Sequence, residues 1–330
     1  MKKILSNPKN KLIKGAVLLF FIIMFLYPYA SYEGASTGLL LWFINVLPTL
    51  LPFIIISNLM IRLNISKQIS RILYPVIGKL FRVSSEGCYP ILIGFLSGIP
   101  MGAKTTADLV SEEKINEDEG NFLLTMCNNY SPVFIMSYIV INQLKLPRIR
   151  YSLFVILYLS SIISAVIYRF YINRRRFNIT TKGPIPPSKT KPIQATSKSA
   201  RFSFQILDSS IMNGFEVITK IGGYIILFSI LAQIINQIGP GNGLLKASFM
   251  GILEITTGIN QICKADINIH MKIVLAAVLT SFGGLSGMAQ TKSVLGDTRL
   301  SMKSYFIVKL INTVITFVLA LLYVALFRIV

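Results

Sequence analysis

Long apolar blocks alternate with short basic stretches along this chain. AVLLFFIIMFLYPYA (16–30), YSLFVILYLSSIISAVIY (151–168), YIILFSILAQII (224–235) and YFIVKLINTVITFVLALLYVALF (305–327) are such blocks. About 20 apolar residues, rising ~1.5 Å each in a helix, cross the ~30 Å hydrocarbon core of a bilayer. The pattern predicts spans over 12–30, 37–62, 118–142, 149–172, 211–238, 269–296 and 303–327. The first span exits near YASYEG (29–34). RLNISKQISRILYPVIGKLFRV (62–83) sets Arg62, Lys67, Arg71, Lys79 and Arg82 among Ile, Leu and Phe, a cationic amphipathic segment suited to the membrane surface.

Two further apolar segments, 86–110 and 243–264, are interrupted near their middles. The first breaks at Ser97–Gly102 within GFLSGIPMGAK, the second around EITTG (254–258). Gly and Pro disfavour helix interiors, and each limb is about 10 residues, half a bilayer. Two half-length limbs around a turn make a re-entrant hairpin, tolerated where protein or a watery cavity covers the turn.

Two of the longer spans also carry a stop and a restart. In CNNYSPVF, Asn128 and Asn129 can end a helix. Ser131 followed by Pro132 is an N-cap and a first-turn proline. In SFGGLSG, Gly283–Gly284 can stop the helix and Ser286 can cap its restart. Each restart offers a half-helix N-terminus, about +0.5 charge with free N–H groups, which favours anions.

Charge then sets orientation. Of 330 residues 53% are hydrophobic and only 14% charged, with a net charge of +20 and a mean hydropathy of +0.64. The lysines and arginines gather beside the apolar runs, as a topology signal does, so nucleic acid is not the expected partner and the lipid bilayer is. Lys2, Lys3, Lys9, Lys11 and Lys14 keep the N-terminus inside. The opening stretch resembles a signal-peptide n-region without a convincing cleavage site, so 12–30 reads as a retained helix. NRRRFNITTKGPIPPSKTKPIQATSKSAR (173–201) reads as a disordered basic inside linker. The loop 142–150 breaks the charge rule. With this topology the hairpins open to opposite faces, and helix, hairpin, broken helix and helix recur in the same order. The expected fold is an all-α polytopic membrane protein. It is an inverted-repeat transporter with about seven transmembrane helices, two re-entrant helical hairpins and two broken helices. Its parts are an N-terminal helix (1–35), repeat 1 (36–173), the linker (174–208) and repeat 2 (209–330).

The candidate substrate-binding residues are those at the four interruptions: Ser97, Gly98, Pro100, Gly102, Lys104, Asn128, Asn129, Ser131, Glu254, Thr256, Thr257, Gly284, Ser286 and Gln290. Lys104 gives the site a positive sign, with Lys292 as a second cation, so a small organic anion is the expected ligand and Lys104→Ala is expected to abolish its transport. Each has a plainer alternative. Lys104 can pair with Asp108 four residues on, Lys292 can snorkel to the inner face, CNNYSP can be a structural kink, and GIPMG can serve close helix packing. Glu254 is an intramembrane carboxylate, a candidate for a coupling H⁺ or Na⁺, or a partner of Lys104 or Lys292. Cys88, Cys127, Cys263 and the single His270 form no metal or catalytic pattern, and there is no P-loop. No cofactor and no enzyme activity are expected.

GFLSGIPMGAKTTADL followed by CNNYSPVFI, then EITTGI and SFGGLSGMAQ, resemble the nucleoside-recognition (Gate) domain membrane proteins. Within them the resemblance is to the YlbJ-type sporulation integral membrane proteins, over roughly 36–330. The family is similar in repeat design to concentrative nucleoside transporters, and the resemblance implies a central substrate site built from hairpins and broken helices. For the sporulation branch it implies export of dipicolinic acid from the mother cell across the outer forespore membrane. Where this chain has Gly287–Met288, the family often carries a His, so any role of that His has no counterpart here. A nucleoside or nucleobase carrier is the first rival. A non-transporting sporulation scaffold acting through the basic linker is the second. A homo-oligomer is left open.

Overall fold

The computed structural model describes residues 8–177, 202–238 and 243–327. Every regular element among them is helical. Most of the basic linker, 178–201, lies outside the described residues, as does 239–242.

Helix α1 (Pro8–Leu26) ends at Tyr27, and α2 (Pro28–Leu41) starts at once. The expected exit at YASYEG is therefore corrected: 29–34 is helical, and the change of direction falls at Tyr27. Pro28 is the reason, since proline takes the first helical position and cannot continue a helix behind it. α2 runs through a π-helical turn (Trp42–Val46) into α3 (Leu47–Arg62) as one 35-residue span. Gly34 and Gly38 let α2 lie directly on the backbone of Ile230 and Ile226, the small-residue packing of membrane helices.

The surface segment follows as α4 (Ile65–Leu73), a π turn and the short α5 (Lys79–Phe81). Ile72, Val76 and Leu80, four apart, form one exposed apolar stripe.

The two interrupted segments are helical hairpins. In the first, α6 (Cys88–Ser97) and α7 (Met101–Ser111) meet at Gly98–Pro100 and pack together. Gly98 sits at φ 79°, the left-handed region that glycine tolerates. In the second, α11 (Gly243–Leu253) and α12 (Ile255–Lys264) meet at Glu254 alone, because ITTG belongs to α12. Their limbs touch backbone to backbone at Gly251 and Gly258.

The broken helices lie between the hairpins. The first is α8 (Glu117–Cys127) and the π-helical run Phe134–Gln143, separated at 128–131. The second is α13 (Ile269–Phe282) and α14 (Gly284–Val294), separated at Gly283, with φ 87°. Continuous helices α9 (Arg150–Phe177), α10 (Phe204–Ile238) and α15 (Met302–Leu326) complete the bundle.

Each broken helix runs from the open end of one hairpin to the open end of the other. Ser84, just before the first hairpin, donates its N–H to Glu119 near the start of α8, and Asn260 of α12 donates to Gln143 at the far end. Lys272 of α13 donates to the Cys263 carbonyl at the second hairpin's open end. The end of α14 lies with Asp108 and Val110 at the first hairpin's open end. The hairpins therefore open toward opposite ends of the molecule.

Five helices among the described residues are long and apolar enough to cross a membrane: 28–62, 147–171, 204–238, 269–294 and 302–326. The two other expected spans are α1 and the interrupted 118–142. The outward faces of the bundle carry large exposed apolar side chains, such as Phe25, Phe43, Phe249, Val314 and Leu322. This is the surface of a chain that sits in hydrocarbon, and it describes a polytopic membrane protein.

Candidate functional site

Both hairpin tips rest on an interruption. The Gly98 position packs on the backbone of Asn129 and Ser131, and Gly284 lies against Leu253 and Ile255 at the second tip. A tie joins the two interruptions: the Tyr130 hydroxyl donates to the Gly283 carbonyl at 3.0 Å. Another joins the first broken helix to the second hairpin, from the Tyr138 hydroxyl to the Thr256 carbonyl at 3.0 Å.

Where these four breaks meet there is a cavity of about 40 Å³. That is room for a few water molecules, not for an organic ring. Ser97, Ser131, Glu254, Thr256 and Gln290 of the expected set line it, with Thr49, Tyr130 and Phe134 and an apolar wall that includes Leu50, Ile221 and Ile225. Among the described residues that line it there is no lysine or arginine.

Two helix starts in this region are capped by a side chain, and those of α7 and α14 are not. Ser131 accepts the Phe134 N–H at 3.2 Å, as the Ser-Pro pair predicts. Glu254 is 2% exposed. Its carboxylate accepts the Thr257 N–H at 2.8 Å and the Thr256 hydroxyl. The position that helix-end electrostatics reserves for an anion is thus filled by the protein's own acid. Ser286 is not the cap expected of it: α14 begins at Gly284, so Ser286 lies within the helix and accepts from the Gln290 amide at 3.1 Å.

The remaining expected residues lie elsewhere. Gly102 packs on the Cys127 carbonyl, and Pro100 belongs to the turn before α7. Lys104 pairs with Asp108 at 2.8 Å, and Lys292 is exposed. Thr257 faces away from the cavity, within 3.3 Å of Ser229, on a recess of about 260 Å³ bordered by Glu33, Asn260 and Lys264. A second recess of about 400 Å³ lies between the ends of α7 and α14.

Asn128 and Asn129 do not line the cavity. The Asn128 amide donates to Thr291 at 2.7 Å and to the Tyr305 hydroxyl at 2.9 Å. The Asn129 amide donates to Ser161 at 2.7 Å, and its oxygen accepts from Lys309 at 3.1 Å. Sequence reasoning passed over Lys309. Its signal is Tyr305, Lys309, Asn312 and Thr316, a polar stripe at helical spacing inside an apolar span, and all four are buried.

Apolar helices, two of them interrupted, packed around a small internal cavity define a polytopic α-helical membrane protein. The chain is similar to the sporulation integral membrane protein YlbJ of Bacillus subtilis (strain 168). It is 26% identical over 340 residues, covering 96% of this chain and 83% of that protein. No family model matches the chain, and no solved structure matches it.

Proposed function

We propose that this protein is a secondary transporter that carries a small organic anion across a bilayer by alternating access, with dipicolinate during sporulation as its substrate. The observation that carries the reading is the small cavity lined from both hairpin tips and both broken helices, with a larger recess beyond it toward each hairpin's open end. An inverted repeat, 36–173 against 209–330, accounts for hairpins that open to opposite ends. The chain would sit in the outer forespore membrane of a sporulating bacterium with its N-terminus in the mother-cell cytoplasm. The relative's name supports the sporulation setting.

A cavity of this size takes the substrate only after the hairpin tips separate from the interruptions, an opening that the alternating-access cycle would supply. Glu254 is the candidate for coupling. An anion and an ionised Glu254 repel each other at such short range. The acid therefore takes up a cation when the anion enters, a H⁺ or a Na⁺, and the H⁺ case is the one a Glu254 variant tests directly.

A nucleoside or nucleobase is the second reading. It is favoured by a lining that holds an acid, an amide, hydroxyls and the stacked Tyr130–Phe134 rings at 4.7 Å, but no cation. Proteoliposome flux of labelled dipicolinate and labelled uridine, each under an imposed H⁺ or Na⁺ gradient, decides between the two. Flux of neither leaves the non-transporting scaffold, which deletion of 180–200 would disable.

A further inference from the structure

Among the described residues only two side chains of the Asp, Glu, Lys and Arg types are buried, Glu254 and Lys309. Lys309 makes no ion pair there. Its ammonium has one hydrogen bond, to the Asn129 amide oxygen at 3.1 Å, and the face of the Tyr305 ring at 5.6 Å. For a charge that is 2% exposed this is thin compensation. The surroundings are also incomplete. The side-chain oxygens of Asn128 and Asn312 are buried without a partner. Asn128 precedes the residue that Lys309 holds, and Asn312 lies one turn along α15. The seam therefore holds a lysine with no counter-ion of its own, and a nearby anion would favour its charged form.

Its one anchor is in the first interruption. Asn129 holds Lys309, while Tyr130 and Ser131, next along the chain, line the cavity. Two residues span at most about 7 Å, which puts the ammonium roughly 10 Å from the cavity. At the effective dielectric of about 20 that suits protein interiors, a protonated Lys309 at that range raises the affinity by at least about tenfold for each negative charge on the ligand. The other lysines near the breaks lack this influence. Lys104 is neutralised by Asp108, and Lys292 is exposed to screening.

We propose that Lys309 is the charge-selecting residue of the cavity: the cation that favours an anionic occupant stands behind the Asn128–Ser131 interruption and acts through it, rather than in the lining. This rests on the anion-transport reading. It explains how a cavity lined by one acid and neutral groups still accepts anions once that acid is neutralised.

The test is calorimetric binding to the purified full-length protein in detergent, with two probes of the same shape: the pyridine-2,6-dicarboxylate dianion and neutral pyridine-2,6-dicarboxamide. Wild type is expected to bind the dianion more tightly. Lys309→Met is expected to weaken the dianion at least about tenfold, ~1.4 kcal/mol, and to leave the diamide within about twofold. Lys309→Arg, which stays charged, is expected to keep the dianion within about threefold of wild type. Equal weakening of both probes means that Lys309 only supports the fold, and unchanged dianion binding in Lys309→Met means that its charge is not felt; either result overturns the inference alone. A wild type that binds neither probe overturns the anion-transport reading and this inference together. Thermal midpoints of both variants separate a folding failure from a binding change. If Lys309→Met does not fold, the dianion preference of Lys309→Arg decides, and its loss in a folded Lys309→Arg overturns the inference.

Discussion

Lys104 and Asp108 pair at 2.8 Å along one face of α7, with side chains 15% and 38% exposed. The pair satisfies within one helix the charge expected to give the cavity its sign. An i,i+4 pair of this exposure contributes about 0.3–0.5 kcal/mol. Lys104→Ala is therefore expected to lower stability by no more than about 0.5 kcal/mol and to retain most dipicolinate flux. Reconstituted flux checks this: loss of transport in a folded Lys104→Ala protein would put Lys104 back at the site.

Gly94 and Gly102, on the two limbs of the first hairpin, both face the Cys127 carbonyl at the end of α8. A methyl group at either position would land on that oxygen, which belongs to backbone and cannot rotate away. Alanine at either glycine should cost about 2 kcal/mol or more, the range of overpacked core sites. Gly223, with open space around it, is the control and should tolerate alanine. Thermal midpoints in detergent for the three variants test the contrast.

The features legible in the sequence were those fixed by local chemistry. Ser131 before Pro132 restarts a helix in any context, because the hydroxyl meets a free N–H and the proline needs none. Gly98 and Gly283 mark turns because their φ values suit glycine. Pro28 carried the same kind of signal, and the apolar run around it obscured the turn at Tyr27. Side-chain direction at an interruption is different. Asn128 and Asn129 have no helical periodicity to aim them. Thr291, Tyr305, Ser161 and Lys309, all distant in sequence, hold them outside the cavity lining. The stripe from Tyr305 to Thr316 was periodic and legible, but an apolar average conceals a single lysine.

Glu254 both caps α12 and lines the cavity, and two substitutions separate these roles. Glu254→Ala removes the acceptor for the Thr257 N–H and the Thr256 hydroxyl, and should destabilise the protein by about 1–2 kcal/mol. Glu254→Gln keeps an acceptor oxygen, so its midpoint should stay near wild type. It cannot take up a proton, so its dipicolinate flux should no longer respond to an imposed pH gradient. A Glu254→Gln protein whose flux still follows that gradient would move the coupling proton elsewhere.

Tyr130 ties the two interruptions together through the hydrogen bond from its hydroxyl to the Gly283 carbonyl. Gly283, at φ 87°, joins the two helices, with its N–H donating to the Leu279 carbonyl at 2.9 Å and its carbonyl accepting from Tyr130. The Tyr130 carbonyl in turn accepts from the Tyr158 hydroxyl at 3.0 Å, which fixes the first interruption to α9. If the closed cavity opens by parting these breaks, Tyr130→Phe removes one bond that holds them shut, worth about 1 kcal/mol net. The expected result is a modest loss of thermal stability together with easier access to the cavity. A cysteine at Ser97, on the lining, reports on access. In the Tyr130→Phe background it should react several-fold faster with a small polar thiol reagent than in wild type. Unchanged reactivity together with reduced stability would mean that the bond supports the fold and takes no part in opening.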